Sequence, residues 1–200
     1  DMALRSAEGL RSFCSDLGSP EPSPGGGTAA AAAGAMAASL LSMVCGITLK
    51  NKKHEANWPM LSSLRERAES LASALLRLAE DDALAYDRVV AMSRAKRLSP
   101  DDPKAKGDYA AAVRTAMEVP MATAEGCVSV LKLSVEVAAV GTKSASSDVE
   151  VAMRLAGAGV DGAVANVRIN LPYCEDLVFA SSAEEAAGRL MDEKARLLSP

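Results

Sequence analysis

Residues 22–49 of the chain read PSPGGGTAAAAAGAMAASLLSMVCGITL, and this stretch sets the architecture. The alanines favour a helix, which Thr28 can cap at the end of the glycine turn. No residue of the stretch is charged, so its helix should be buried at the centre of a soluble bundle. A membrane span would carry more leucine, isoleucine and phenylalanine, and the composition therefore argues against a membrane partner.

A long apolar seam accounts for much of the remaining sequence. It runs in steps of three and four from Leu61 to Met92, and Asp82 is the only carboxylate on it. Other segments are also helical in period, and no alternating run predicts a strand. We expect one all-α domain over residues 1–200, a bundle of long antiparallel helices. Short first and last helices cannot cover the seam, so we expect a homodimer in which both chains bury it.

Helix boundaries follow from capping residues and prolines. Ser147 begins a capping-box sequence, and Ser181 or Ser182 can cap the last helix. Pro120 should kink or break the helix that we expect over residues 108–140.

Composition excludes several classes of function. The net charge is -4, and only three Tyr, two Phe and one Trp could stack on bases, so nucleic acid is not expected as a partner. Four cysteines without C-x-x-C spacing fit a reducing, cytoplasmic setting. His54 is the only histidine, and no cluster has ligand spacing, so we expect neither a metal site nor a Ser-His-Asp triad.

The glycine turn Gly25–Gly27 has two explanations. Its free backbone N–H groups and the helix dipole would attract a carboxylate or phosphate, or the turn is only a tight entry to the helix. A valine at Gly26 should abolish ligand binding, because its β-branched side chain would exclude a backbone conformation open to glycine and would occupy the space that the ligand needs. No strand precedes the turn and no lysine closes it, which excludes a dinucleotide fingerprint and a P-loop.

Several motifs together resemble those of one enzyme family. The segment Pro24–Thr28, then Met43-Val44 and Thr48, is similar to the "PGGGS…MV…LT" hallmark of the cyclodeaminase/cyclohydrolase family. Further matches follow in the family's order: Lys52-Lys53, Asp82 and Tyr86 as D-x-x-x-Y, Val119-Pro120, Ser147-Asp148, Asn166-Val167 and Asn170-Leu171. Thr28 replaces the family's serine, and residues 96–100 replace its Leu-Pro-Lys.

This resemblance implies an all-helical, dimeric folate enzyme that needs no cofactor beyond tetrahydrofolate, the one-carbon carrier of its substrate. We expect a cyclohydrolase that converts 5,10-methenyltetrahydrofolate to 10-formyltetrahydrofolate, because no formimidoyltransferase sequence accompanies the chain. One alternative is a formimidoyltetrahydrofolate cyclodeaminase, which releases ammonia. Another is a folate-binding helical dimer without catalysis, which the two departures from the family motifs suggest.

Asp82 is the candidate catalytic residue. On an apolar seam its carboxylate should lose hydration, which raises its pKa and suits a general base near neutral pH. The carboxylate could also stabilise the cationic methenyl group. A structural ion pair or a hydrogen bond to a facing helix is the alternative.

The resemblance further implies a substrate-binding role for Gly25, Gly26, Gly27, Thr28, Lys52, Lys53, Tyr86, Ser147, Asp148, Asn166 and Asn170. The two asparagines share a helix face, where interior amides require specific hydrogen bonds. Asp148 caps a helix, binds the pterin ring, or does both. Lys52 and Lys53 form a solvated loop or bind a polyglutamyl tail. At a dimer interface, we expect Asp82 and the asparagine face to meet from two subunits.

Overall fold

The structure, a computed structural model, describes residues 2–199, with side chains from residue 7 onward. Six α-helices and three short 3-10 turns make up its regular secondary structure, and the described residues include no strand. The all-α prediction is therefore confirmed. The helices are α1 (Met2–Leu17), α2 (Gly26–Leu49), α3 (Trp58–Leu98), α4 (Pro103–Val140), α5 (Ser146–Asn170) and α6 (Leu177–Leu198). The 3-10 turns are Lys52–Asn57, Lys143–Ala145 and Leu171–Tyr173.

Helix α2 lies at the centre and packs against α3, α4 and α5. Its small residues permit close approach: a side-chain carbon added at Gly34 would lie 3.1 Å from Leu75 of α3. One added at Gly159 of α5 would lie 3.0 Å from the carbonyl oxygen of Ala30. By length and hydropathy alone α2 could cross a membrane, and in the structure half of that apolar window is buried inside the bundle.

The apolar seam of α3 is covered within the chain. Leu61, Leu64 and Leu75 are almost fully buried in a core shared with α2, α4 and α5. The seam therefore does not require a second chain to cover it. The reason is that α2 and α4 both pack against α3.

Three predicted helix starts are wrong. Gly25 is the N-cap of α2, and Thr28 lies within its first turn. Ser147 lies inside α5, whose N-cap is Ala145 and which has no side-chain cap. Helix α6 begins earlier than expected, because the Asp176 carboxylate accepts a hydrogen bond from the Phe179 N–H at 3.0 Å.

Pro120 lies inside α4 without ending it. Because proline has no N–H, the carbonyl of Ala116 one turn earlier loses its helical partner. The side-chain amide of Asn170, at the end of α5, donates to that carbonyl at 3.1 Å. A side chain from a neighbouring helix thus replaces the missing hydrogen bond, which explains why the predicted break does not occur.

Candidate active site

A cavity of about 650 Å³ opens at the end of the bundle where α2 begins. Thr28, near the start of α2, is level with Asp82, in the middle of α3. The remaining 16 residues of α3 therefore extend roughly 24 Å past the start of α2. The wall is completed by the first part of α4, the end of α5 and the loop before α2. The cavity occupies the space that α2 does not fill.

Asp82 and the glycine turn form the inner end of this cavity. Thr28 is 6% exposed, and its hydroxyl donates to Asp82 Oδ2 at 3.0 Å. A side-chain carbon added at Gly27 would lie 2.6 Å from Asp82 Cγ, so the carboxylate rests directly against the glycine backbone. The anion at the start of α2 is thus the protein's own carboxylate.

Space, not an unusual backbone conformation, is what requires glycine here. No glycine in the described part of the chain has a positive φ. At Gly26 the added carbon would lie 3.6 Å from the Asn166 amide nitrogen, an ordinary contact. The three glycines are therefore not equivalent, and Gly27 is the one that a carboxylate crowds.

Burial raises the pKa of Asp82 above its usual value, as predicted from its place on the seam. Hydrogen bonds from the hydroxyl and the backbone amide of Thr28 oppose this effect, but loss of hydration is the larger cause. No cation pairs with Asp82 within the described residues. The structural ion pair is thus not seen, whereas the hydrogen bond to a facing helix is.

Asn166 and Asn170 line the same cavity from α5. The Asn166 amide nitrogen donates to the Gly162 carbonyl at 2.9 Å, and that of Asn170 donates to the carbonyls of Asn166 and Ala116. Backbone carbonyls thus hold both amide nitrogens, which leaves the side-chain oxygens as acceptors. A single chain brings this pair to Asp82, so the expectation that they meet from two subunits is wrong.

Aromatic and aliphatic side chains form the walls of the cavity. Tyr86 follows Asp82 by one turn of α3, and Tyr109 and Tyr173 contribute from α4 and from the turn after α5. Val89 and Ile169 are among the apolar lining residues. Such a lining suits a flat, partly aromatic ligand.

Two arginines at the outer end were missed by sequence reasoning. Arg94 and Arg97 line the cavity from the last turns of α3. Arg97 falls within residues 96–100, where the family's lysine has no clear counterpart. Its neighbour Lys96 instead binds Glu175 at 2.8 Å and lies 4.5 Å from the centre of the Tyr109 ring.

Four other predicted binding residues lie away from the cavity. Lys52 and Lys53 follow the end of α2, roughly 36 Å from its start. Ser147 and Asp148 lie in the first turn of α5, about 28 Å along the helix from Asn166. Their role in substrate binding stays a prediction. Across the described part of the chain, no group of three or more His, Cys, Asp or Glu side chains could hold a metal ion.

Comparison with known proteins gives concordant matches in sequence. A model of the formiminotransferase-cyclodeaminase family matches residues 9–189. A methenyltetrahydrofolate cyclohydrolase of Methylorubrum extorquens is 34% identical over 191 residues, which cover 95% of this chain and 92% of that protein. A formimidoyltransferase-cyclodeaminase of Sus scrofa is 34% identical over 188 residues, 92% of this chain but 34% of that protein.

The fold is also similar to a solved structure. The crystal structure of a formiminotetrahydrofolate cyclodeaminase from Thermotoga maritima has a TM-score of 0.83 with this chain at 26% identity. The similarity covers 94% of this chain and 90% of that one.

Proposed function

The chain belongs to the formiminotransferase-cyclodeaminase family, and we propose that it hydrolyses 5,10-methenyltetrahydrofolate to 10-formyltetrahydrofolate. Membership makes it a folate one-carbon enzyme, a cyclohydrolase or a cyclodeaminase. The match to a cyclohydrolase over almost the full length of both proteins favours hydrolysis. The observation that carries a catalytic role is Asp82, a half-buried carboxylate with a raised pKa at the inner end of the cavity.

Asp82 can perform the proton transfers that this hydrolysis requires. In the substrate, one carbon bridges N5 and N10 and shares a positive charge with them, which a carboxylate stabilises. As general base, Asp82 takes a proton from the water whose oxygen attacks that carbon. The tetrahedral intermediate then breaks its bond from carbon to N5. N5 takes the proton from Asp82, the hydroxyl loses its own proton to solvent, and the formyl group remains on N10.

The other residues of the cavity fit a folate. The side-chain oxygens of Asn166 and Asn170 can accept hydrogen bonds from the N–H groups of the pterin. The tyrosines can stack on its ring or on the benzoyl group. Thr28 keeps the hydroxyl of the serine that the family has at this position, and this hydroxyl donates a hydrogen bond to Asp82. The replacement of serine by threonine therefore no longer supports the alternative of a folate-binding dimer that has lost catalysis.

One assay separates the two reactions. Purified protein should abolish the near-ultraviolet absorbance of 5,10-methenyltetrahydrofolate and form 10-formyltetrahydrofolate faster than buffer does. With 5-formimidoyltetrahydrofolate, a cyclodeaminase would instead release ammonia and create that absorbance. The fold similarity to a cyclodeaminase keeps this second reaction as the alternative. Activity on neither substrate would refute the enzyme proposal.

We also propose a homodimer that is formed through the outer face of α2. Met36, Met43 and Ile47 share this face and are 46%, 41% and 43% exposed, on a helix without a charged residue. Arg65 and Glu69 of α3 flank the face with charges of both signs, a rim that suits a protein partner rather than a lipid surface. An uncharged face of this kind can bury itself against its own copy around a two-fold axis.

Met43→Asp should convert the dimer to a monomer, because it places a carboxylate in the middle of the apolar contact. Light scattering over a dilution series measures the mass. Val178→Asp is the matched control, since Val178 on α6 is 79% exposed and lies outside this face. A monomeric wild-type protein at all concentrations would refute the dimer.

The same dimer offers a place for the four distant residues. If the two α2 helices run antiparallel, the Lys52-Lys53 and Ser147-Asp148 end of one subunit lies near the partner's glycine turn. Full activity of monomeric Met43→Asp would remove Lys52, Lys53, Ser147 and Asp148 from the site.

We further propose that the protein is located in the cytoplasm. All four of its cysteines are free thiols, which fits a reducing compartment.

A further inference from the structure

One face of α3 forms a continuous wall from the inner to the outer end of the cavity. Asp82, Tyr86, Val90, Arg94 and Arg97 follow one another along it at helical spacing, and all five line the cavity. Arg94 and Arg97 are 12 and 15 residues beyond Asp82, which corresponds to roughly 18 and 22 Å along the helix axis. The wall therefore carries a carboxylate at one end and two guanidinium groups at the other.

The two arginines have no acidic partner among the described residues. Some other arginines are paired, such as Arg114 with Glu118 at 2.9 Å and Arg168 with Glu184 at 2.8 Å. Within the described part of the chain, Arg77, Arg88 and Arg189 are unpaired like Arg94 and Arg97, but only Arg94 and Arg97 of these five line the cavity. Arg97 also borders an adjoining groove of about 380 Å³, which includes Lys96. Lys96 is paired with Glu175, so Arg97 is the unpaired cation that the cavity and this groove share.

This distribution of charge matches the two ends of a folate. The reacting carbon must lie near Asp82, and the benzoyl ring and its amide then extend along the apolar middle of the wall. The glutamyl carboxylates follow at the outer end. Guanidinium groups bind carboxylates through paired, charge-assisted hydrogen bonds, which makes arginine well suited to that position.

We infer that Arg94 and Arg97 bind the glutamyl tail of the substrate, and that the groove beside Arg97 receives further γ-linked glutamates. Arg94, which is nearer to Asp82, binds the carboxylates of the first glutamate. Arg97 and the adjoining groove bind those of the second and third. This inference rests on the proposed folate activity. It orients the substrate with the reacting carbon at the inner end of the cavity and the glutamates at the outer end.

The test compares Arg94→Ala and Arg97→Ala with Arg88→Ala, a control because Arg88 is exposed on α3 and does not line the cavity. Arg94→Ala should raise the KM for monoglutamyl methenyltetrahydrofolate about 10-fold at unchanged kcat, as expected for the loss of one charge-assisted pair. Arg97→Ala should leave that KM unchanged and remove any preference for the triglutamyl form. Arg88→Ala should match wild type with both substrates.

A substrate that lacks the glutamate separates tail binding from a general disturbance of the cavity. With the methenyltetrahydropteroate analogue, Arg94→Ala and wild type should have the same KM. An unchanged KM for the monoglutamate in Arg94→Ala, or an equal loss with the analogue, would overturn the inference. In either case wild-type turnover would still support the proposed function. If wild type neither turns over methenyltetrahydrofolate nor binds 5-formyltetrahydrofolate in calorimetry, the proposed function and the tail site both fail.

Discussion

Asp82→Asn should lower kcat at least ~100-fold, because it removes the only carboxylate among the described residues that line the cavity, and with it the general base. Asparagine has nearly the same shape and can still accept the hydrogen bond from the Thr28 hydroxyl. The helical circular dichroism signal and the affinity for 5-formyltetrahydrofolate should therefore remain close to wild type. Turnover within a few-fold of wild type would exclude Asp82 from catalysis.

The pH dependence of the wild type gives an independent check on this role. A general base acts only when deprotonated, so kcat/KM should rise with pH through the pKa of Asp82. Because burial raises that pKa, the rise should lie above the range of an ordinary aspartate, about 3.9. The residual activity of Asp82→Asn should lack this rise. If Asp82→Asn shows the same rise of kcat/KM with pH, the rise belongs to another group.

Stability should change in the opposite direction to activity. A carboxyl group whose pKa is higher in the folded than in the unfolded state stabilises the fold at low pH. This contribution is lost as pH rises from the ordinary aspartate pKa through the raised one. Asp82→Asn cannot ionise, so at neutral pH its free energy of unfolding should equal or exceed that of wild type. Urea denaturation at neutral and acidic pH measures the difference. A strongly destabilised variant would favour a structural role.

Local patterns predicted the elements of the fold well because each signal lies within one helix. The uncharged alanine-rich stretch gave α2 at the centre, and the seam from Leu61 to Met92 gave α3. Of the kink or break predicted at Pro120, the break does not occur, because a residue distant in sequence compensates for the missing hydrogen bond. The Ala116 carbonyl is satisfied by Asn170, which is 54 residues away in sequence.

The same distinction applies to the candidate site. Asp82 was identifiable as a lone carboxylate on an apolar seam, whose burial follows from helical periodicity. Its partner Thr28 was expected to cap a helix, because its hydrogen bond to Asp82 joins two helices that sequence alone does not align. Arg94 and Arg97 had a usable signal. They continue the spacing of Asp82, Tyr86 and Val90 along one face of α3, next to the seam.

The sequence could not show which glycine of the turn has room for a side chain, whereas the structure does. A carbon added at Gly27 would lie 2.6 Å from Asp82 Cγ and 2.7 Å from Oδ2. At Gly26 the nearest atom would be the Asn166 amide nitrogen at 3.6 Å. Both glycines line the cavity, but Gly27 is buried against Asp82 of α3, whereas Gly26 is exposed. The Gly26→Val prediction therefore rests on the space that a side chain would take from a ligand, whereas Gly27 is the glycine that the position of the Asp82 carboxylate requires.

Gly27→Ala should reduce turnover ~100-fold or more, because the methyl group would displace the Asp82 carboxylate and break its hydrogen bond with Thr28. It should also destabilise the fold by about 1–3 kcal/mol, the usual cost of overpacking, since α2 and α3 must separate at this point. Kinetics and urea denaturation measure the two effects.

Gly188→Ala is the matched control for Gly27→Ala. Gly188 is a helical glycine with no atom within 4 Å of an added carbon, and alanine there should leave activity unchanged. Gly26→Ala should fall between the two, with a weaker affinity for folate and an intact fold. Full activity in Gly27→Ala would mean that Asp82 can work from another position, and the contact between the glycine turn and its carboxylate would then have no catalytic importance.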